Sequence, residues 1–315
     1  VRTMSEDRGT VSFAPNFGYA LAARRTRSTE GLDLSAVRVL GCGAEPIQPD
    51  AVRGFFERFS GVGLRPSSFL ACYGMAETTL AVTFAGMEDE LKVDQLELPT
   101  ELSEADESGV HRIEHRVPIV SCGRPLPRHQ VSILGPDGKR LPEGELGEIF
   151  VEGPSVTDGY WADEEATKRV FADGGVKTGD LGYLSQGELY VTGRLKDTII
   201  VRGRNYDPTP IEVAAGRVDG IRMGNVAAFS ISDELTERIV VAAEYREGDL
   251  EAIQAEIVRV VQRDVGLTVS EVVLIEPGSL PKTTSGKLQR SATRKQYLLG
   301  TLGRVRRRTD TSAVA

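Results

Sequence analysis

Apolar and polar residues alternate with two different periods along this chain, and each period predicts a different element. Spacings of three to four predict helices at Pro49–Phe59 and Leu250–Val265. Shorter helices are predicted over residues 163–171 and 210–218, and another after Ser12–Leu21, ending at Arg24 and Arg25. A period of two predicts strands. The predicted strands are Val37–Leu40, Ser68–Cys72, Gln130–Leu134, Glu148–Glu152, Glu188–Thr192, Thr198–Val201, Asn225–Ile231, Arg238–Tyr245 and Val272–Ile275.

The order of these elements predicts an α/β fold in two parts. Val37–Leu40, the glycine turn Gly41–Pro46 and the helix Pro49–Phe59 form a half-unit of a parallel α/β sheet. A β-rich part follows from Val120. After Lys196, a βαββαβ-like alternation predicts a small α+β domain joined by one hinge.

Composition describes an ordinary globular protein. The 315 residues suffice for two domains, and 40% are hydrophobic and 27% charged. A net charge of −8 argues against nucleic-acid binding. No apolar run approaches the ~20 residues of a membrane span. The cysteines are odd in number and widely spaced, at Cys42, Cys72 and Cys122, which suggests reduced, partly buried thiols. The cytoplasm is therefore the expected location.

Candidate chemistry begins with a charged joint, Gly193–Asp197, between two predicted strands. Upstream, the segment Lys177–Asp180 is predicted to be a turn that offers a carboxylate. Asp180 and Arg194 at neighbouring strand ends could hold a sugar diol between them. The alternative is a β-hairpin with a solvated turn, and these residues alone do not decide between the two.

Two further segments carry residues suited to nucleotide chemistry. In Tyr73–Thr79, an aromatic at a strand end can stack on a purine, and the Glu77 carboxylate suits Mg²⁺. The alternative is a core tyrosine and a glutamate near a helix N-terminus. The closing loop Leu280–Lys287 is not a Walker loop, because Pro281 stands where glycine is required. It carries one lysine, Lys287, which would otherwise be an exposed lysine before a helix.

Taken together and in their order along the chain, these four segments resemble the motifs of the adenylate-forming superfamily of acyl-CoA synthetases, luciferases and adenylation domains. Within it, the chain resembles most the fatty acyl-AMP ligases, over about residues 11 to 300. The resemblance implies the C-terminal part of a large AMP-binding domain, with mixed sheets and a small β subdomain, followed by a small mobile α+β domain. The expected bounds are 1–195 and 196–300, with a disordered tail at 301–315.

The resemblance also implies roles for individual residues, with ATP and Mg²⁺ as cofactors. Lys287 and Glu77 are the catalytic candidates, Glu77 as the Mg²⁺ ligand, and Lys196 is the hinge. The nucleotide-binding candidates are Gly43, Ala44, Glu45, Tyr73, Gly74, Asp180 and Arg194.

An acyl pocket is implied near the start of the chain. The resemblance makes Phe17 and Tyr19 its lining residues, and the alternative is a helix N-terminus that packs its aromatics into the core. The polar stretch 86–117, read as a surface excursion, corresponds loosely to an insertion credited with limiting the domain motion that admits coenzyme A. His111 and His115 within it read as solvated side chains.

The expected reaction joins a fatty acid to ATP and releases pyrophosphate. The acyl group then passes to the phosphopantetheine thiol of an acyl carrier protein or a polyketide synthase. The family's phosphate-binding loop has no counterpart between Val1 and Thr10, so the chain is expected to be the C-terminal portion of a larger enzyme. A long-chain acyl-CoA synthetase and a non-catalytic remnant or adenylate-binding module are the alternatives.

Overall fold

The computed structural model describes residues 1–87, 89–98, 115–201, 204–232, 237–283 and 286–305. Its contacts divide the chain into two compact units, and the boundary falls between Lys196 and Asp197. The first unit contains Val1–Leu96 and Arg116–Lys196, and the second contains the described residues of Glu97–His115 and of Asp197–Ala315.

Both units contain helices and strands, and the first unit has a long run of strands between residues 69 and 152, with no α-helix among the described residues of that run. The helices are α1 Arg2–Glu6, α2 Asn16–Arg25, α3 Pro49–Phe59, α4 Glu164–Val170, α5 Thr209–Gly216, α6 Leu250–Val265 and α7 Arg290–Leu298. The strands are β1 Val11–Phe13, β2 Val39–Cys42, β3 Phe69–Tyr73, β4 Thr83–Phe84, β5 Val93–Leu98, β6 His115–Val120, β7 Arg124–Pro125, β8 Gln130–Leu134, β9 Gly147–Glu152, β10 Phe171–Ala172, β11 Gly175–Ser185, β12 Glu188–Arg194, β13 Ile199–Val201, β14 Arg204–Tyr206, β15 Ile221–Ser232, β16 Glu237–Tyr245 and β17 Glu271–Ile275.

The first unit contains the predicted parallel α/β sheet. Its strand order is β1-β2-β3-β4-β7, and β1, β2 and β3 run parallel. The core of this sheet includes side chains from α2 and α3, among them Tyr19, Phe55 and Phe59. Because β2 and β3 are parallel neighbours, the loops that follow them leave from the same edge of the sheet.

A second, antiparallel sheet of the same unit has the order β10-β11-β9-β8, with β12 paired to β11. The prediction that Lys177–Asp180 is a turn is wrong, because this segment lies inside β11, where the register with β9 shifts between Lys177 and Leu181. The Gly179 N–H donates to Glu148 Oε1 at 3.1 Å, and Thr178 Oγ1 donates to the Ile149 carbonyl at 2.8 Å. These hydrogen bonds to β9 hold the segment as a bulge within the strand, whereas its local sequence is typical of a turn.

The second unit has one sheet with the order β15-β16-β17 and a preceding hairpin, β13-β14. Strands β15 and β16 are antiparallel, and β16 and β17 are parallel. Alternate residues of the sheet enter two hydrophobic clusters. One cluster contains buried residues of α5 and α6, and the other contacts Tyr297 of α7. The sheet therefore has helices on both faces, as in the predicted α+β domain.

Helices α3 and α6 have the predicted bounds, and the three cysteines are free, as predicted. Burial raises the pKa of Cys72 to about 11 and that of Cys122 to about 12, so both remain thiols at neutral pH.

Within the predicted surface excursion over 86–117, β5 and β6 pair with each other as a two-stranded sheet, and the described side chains are exposed or half-buried. His111 and the side chain of His115 lie outside the described residues. Within the predicted tail, Leu302 is buried and the Val305 N–H donates to the Leu274 carbonyl at 2.9 Å. The rest of that tail, from 306, also lies outside the described residues. Among the residues that are described, no helix has the length and apolar character needed to cross a membrane.

Candidate functional site

Two adjacent strand ends of the parallel sheet carry the turns that the sequence singled out. Strand β2 ends at Cys42 and leads into Gly43, Ala44 and Glu45, and β3 ends at Tyr73 and leads into Gly74. Side chains and backbone from both turns therefore meet at the carboxyl edge of the sheet, where open α/β sheets bind their ligands.

Both glycines are required by close packing. A Cβ at Gly43 would lie 2.6 Å from the Cys72 carbonyl oxygen, and one at Gly74 would lie 1.8 Å from the Leu80 carbonyl oxygen. The neighbouring Ala44 has φ +70°, a left-handed conformation that is uncommon for alanine. The two turns thus follow fixed paths beside each other.

Asp180 lies at the centre of a hydrogen-bonded group in the first unit. Its Oδ2 accepts from the Tyr73 hydroxyl at 2.8 Å, and its Oδ1 pairs with Arg194 Nε at 2.8 Å. Asp180 is buried and Arg194 is half exposed. Burial raises the pKa of Asp180 above its usual range, while Arg194 and the Tyr73 hydroxyl oppose the rise. The structure thus places three of the predicted nucleotide-binding residues in direct contact.

Glu77 lies in a short 3-10 turn, Ala76–Thr78, after Tyr73. Its Oε1 accepts a hydrogen bond from the Tyr160 hydroxyl at 2.6 Å, and its backbone oxygen accepts one from the Thr157 N–H at 2.9 Å. The bond to Glu77 raises the pKa of Tyr160 to about 12, so the phenol remains a donor at neutral pH. Trp161, the next residue, is 97% exposed.

One carboxylate fits the requirement of a magnesium ion whose other ligands are phosphate oxygens and waters. In Glu77, Oε2 is the oxygen that a cation would take without displacing Tyr160. Among the described residues, no group of three or more His, Cys, Asp or Glu side chains could hold a metal ion. The single Glu77 carboxylate suits a magnesium ion whose remaining ligands come from a nucleotide and water.

Lys287 lies in the second unit, in a closed loop defined here as the lysine loop, residues 281–289, of which 284 and 285 lie outside the description. The Thr283 N–H donates to the Lys287 carbonyl at 2.8 Å, and the Lys287 N–H donates to Thr283 Oγ1 at 3.0 Å. The Gln289 N–H donates to the Pro281 carbonyl at 3.0 Å, and this hydrogen bond closes the base of the loop. The residue Lys287 is exposed at the end of this small loop.

The two acyl-pocket candidates occupy different environments. Tyr19 is buried, donates to the Gly41 carbonyl at 2.8 Å and packs edge-on against Phe55. Phe17 is exposed on the same helix, α2. Tyr19 therefore fills the place of a core aromatic, which is the alternative that the sequence left open, and the acyl-pocket assignment of both residues stays a prediction.

Comparisons with known proteins fit this geometry. The family model described as AMP-binding enzyme matches residues 5–161, about half of the chain, including both strand-end turns and Tyr160. The chain belongs to the AMP-binding enzyme family. A putative acyl-CoA synthetase of Caulobacter vibrioides is 38% identical over 95% of this chain and 54% of its own length. The medium-chain-fatty-acid–[acyl-carrier-protein] ligase JamA of Moorena producens is 37% identical over 96% of this chain and 54% of its own length.

Two solved structures are similar to this chain in fold and in sequence. A fatty acyl-adenylate ligase from a study of the E. coli and L. pneumophila enzymes has a TM-score of 0.83 at 36% identity, over 94% of this chain and 54% of that one. McyG, solved as an A-PCP with phenylalanyl-adenylate, has a TM-score of 0.77 at 27% identity, over 94% of this chain and 51% of that one. The chain thus spans about half the length of the relatives it matches.

Several contacts of this family member were missed by reasoning from sequence. Tyr160 was not among the predicted site residues, yet it contacts Glu77. The signal in the sequence was the aromatic pair at positions 160 and 161, downstream of Glu77, where a tyrosine hydroxyl can supply a donor. Arg290, directly after the lysine loop, contacts Glu212 and Asp197, and no local pattern indicates these contacts.

Proposed function

We propose that this chain supplies the C-terminal portion of an enzyme that activates a fatty acid with ATP and transfers the acyl group to a carrier-protein thiol. The observation that supports this most is the Asp180 carboxylate, held by Tyr73 and Arg194. A buried carboxylate with one cation beside it is suited to accept the two hydroxyls of a ribose.

In the first half-reaction, a carboxylate oxygen of the fatty acid attacks the α-phosphorus of ATP. The bond from that phosphorus to the bridging oxygen of pyrophosphate breaks, and the products are acyl-adenylate and pyrophosphate. Two anions must approach each other, so a cation between them lowers the barrier by electrostatic stabilisation and positioning. Lys287 supplies that cation. A magnesium ion on the phosphates, with Glu77 as its protein ligand, would neutralise further charge when bound.

In the second half-reaction, a thiol attacks the acyl carbonyl carbon and AMP leaves. The chain turns at Lys196, so that the second unit presents Lys287 in the first half-reaction and gives way to the thiol in the second. The hinge role of Lys196 rests on its place at the boundary between the two units.

The acceptor distinguishes the two ligase alternatives. JamA is named for ligation to an acyl carrier protein and the Caulobacter relative as a putative acyl-CoA synthetase. The likeness to JamA, 37% identical over 96% of this chain, supports the carrier protein as the acceptor. A holo-carrier protein and coenzyme A, offered separately with pre-formed acyl-adenylate, test this directly. Faster transfer to coenzyme A would assign the chain to the synthetases.

The activation step is tested by pyrophosphate release from this polypeptide with ATP, Mg²⁺ and a fatty acid. Lys287→Ala is expected to lower the rate ~100-fold or more, because a cation at the transferring group is lost. Lys295→Ala, on the exposed face of α7, is the matched control and should retain the wild-type rate. Equal rates for Lys287→Ala and wild type would refute the assignment.

A non-catalytic adenylate-binding module is the second candidate function. It is favoured by the grouping of Asp180, Tyr73 and Arg194 within one unit of a chain that spans about half of its relatives. This candidate predicts binding of a non-hydrolysable acyl-adenylate analogue without pyrophosphate release. Loss of that binding in Asp180→Asn would locate it at the proposed site.

A further inference from the structure

Arg290 lies three residues after Lys287, at the start of α7, and makes two charged contacts at once. Its Nε and Nη2 donate to the two carboxylate oxygens of Glu212, each at 2.7 Å. Its Nη1 donates to Asp197 Oδ2 at 3.1 Å. All three side chains are largely buried. A forked contact of this kind fixes orientation as well as distance.

The two partners of Arg290 belong to different parts of the second unit. Glu212 is on α5, and its Oε1 also accepts from the Ala228 N–H of β15 at 3.0 Å, so it is anchored to the sheet. Asp197 directly follows Lys196, at the point where the chain passes from the first unit to the second. Arg290 therefore joins the base of the lysine loop to the sheet on one side and to the residue that follows Lys196 on the other.

The distance along the chain from Arg290 to Lys287 is short and constrained. Leu288, one of the two intervening residues, pairs with Lys282 across the loop and packs against the hydrophobic cluster beside α7. The Gln289 N–H is bound to the Pro281 carbonyl. A change in the direction of the Arg290 side chain would therefore displace the loop base that carries Lys287.

From these contacts we propose that Arg290 is a positioning residue for Lys287, holding the lysine loop in a fixed relation to Asp197. Any rotation of the chain at Lys196 then carries Asp197, Arg290 and Lys287 as one body. This inference rests on the proposed function, in which Lys287 supplies the catalytic cation. Without Arg290, the buried Glu212 and Asp197 would repel each other and the loop base would lose its anchor.

The decisive measurement is hydrogen exchange in Arg290→Lys, which keeps the positive charge and removes the fork. We expect the amides of Thr283, Lys287 and Gln289 to exchange roughly 10-fold faster, through local opening, while the amides of β15 and β16 keep their protection. The matched control is Arg294→Lys, on the exposed face of the same helix. Unchanged loop exchange overturns the proposal. An equal rise throughout the unit also overturns it, since a merely structural role predicts that result.

Kinetics of pyrophosphate release add a second, independent readout. Arg290→Lys should lower kcat and leave the KM for ATP unchanged, because the nucleotide candidates Asp180, Tyr73 and Arg194 are in the other unit. In a Lys287→Ala background, Arg290→Lys should have no further effect, and additive losses would contradict the proposal. If the wild-type chain releases no pyrophosphate, the proposed function fails, while the exchange result still decides the role of Arg290 in holding the loop.

Discussion

Asp180 is held from both sides by its neighbours in the first unit. Its two oxygens accept from Tyr73 and Arg194, and a carboxylate has about four acceptor positions, so the proposed ribose hydroxyls would have about two left. Arg194 and the Tyr73 hydroxyl both favour the ionised form against the burial that raises its pKa. At the scale of one residue, the site is thus a carboxylate oriented by its neighbours and kept able to accept.

Tyr73→Phe tests the contribution of one hydroxyl to this arrangement. The ring remains, but the donor to Asp180 is lost, and hydrogen bonds to charged groups are worth ~1.5–3 kcal/mol. We expect AMP affinity, measured by calorimetry at pH 7, to fall roughly tenfold. The pKa of Asp180 should also rise further, so that affinity declines at a higher pH as the solution is acidified.

The control for this variant is Tyr183→Phe, which removes another tyrosine hydroxyl of the first unit, bound to Asp94 at 2.8 Å. It should leave AMP affinity unchanged. Equal affinities for Tyr73→Phe and wild type would show that the hydroxyl does not orient Asp180.

At the scale of elements, the local sequence pattern predicted the bounds of an element correctly where its hydrogen bonds and caps come from residues nearby in the chain. Helix α6 begins after Asp249, whose side chain accepts from the Ala252 N–H, and ends at Gly266 in a left-handed conformation. Its bounds were predictable from those signals and from its apolar face. The prediction of a turn at Lys177–Asp180 was wrong because the hydrogen-bond partners of this segment, on β9, are about thirty residues away.

The same limit applies to the candidate site. Asp180 and Arg194 come from adjacent strands and were predictable as neighbours, since their Cα atoms are partners in the register of β11 and β12. The contact of Tyr73 with Asp180 spans 107 positions, and that of Arg290 with Glu212 spans 78. No periodicity encodes such contacts, because they depend on how sheets and helices pack.

Gly74→Ala tests the turn after β3. The added methyl group would lie 1.8 Å from the Leu80 carbonyl oxygen, so backbone must move. We expect the free energy of unfolding from urea titration to fall by ~2–4 kcal/mol. Gly54→Ala, within α3 where a Cβ meets nothing within 4 Å, is the control with the opposite sign. It should stabilise by ~0.5–1 kcal/mol, and a Gly74→Ala variant as stable as wild type would contradict the close contact.

Because Asp207, beside α5, has a raised pKa, we expect the free energy of unfolding to depend on pH. Burial raises its pKa from 3.8 to about 6, Glu212 raises it further, and Arg290 and the bonds to Thr209 oppose the rise. Between pH ~4 and ~6 the folded protein keeps a proton that the unfolded chain has lost, so the free energy of unfolding falls as pH rises through that window. Stability lost there stays lost at higher pH.

Asp207→Asn removes this titration and keeps an oxygen for the Thr209 N–H, which the carboxylate binds at 2.8 Å. We expect the variant to be more stable than wild type at pH 7 by up to ~3 kcal/mol, and about equal to it at pH 4. Urea unfolding followed by circular dichroism at both pH values measures the difference. Parallel pH profiles for the two proteins would exclude Asp207 as the titrating group.

At the scale of the whole molecule, each hydrophobic cluster of the described residues draws on one unit alone. The clusters around Tyr19 and Ile149 belong to the first unit, and those around Ile257 and Phe229 belong to the second. A unit that contains its own core can fold alone when its length is about a hundred residues.

The fragment of residues 197–305 is therefore expected to fold independently. It should show one cooperative urea transition and protected amides in β15, β16 and β17, as measured by circular dichroism and hydrogen exchange. A fragment of residues 210–305 is the control, because it lacks the β13-β14 hairpin whose Ile199 and Tyr206 enter the core. A gradual, non-cooperative transition in the longer fragment would contradict this expectation.

Trp161 gives the molecule an intrinsic optical reporter. It is the single tryptophan of the sequence, it is almost fully hydrated, and it follows the tyrosine bonded to Glu77. Indole emission moves to shorter wavelength when water is displaced from the ring. Any nucleotide or polypeptide that covers this neighbourhood will therefore change the fluorescence of the unlabelled protein.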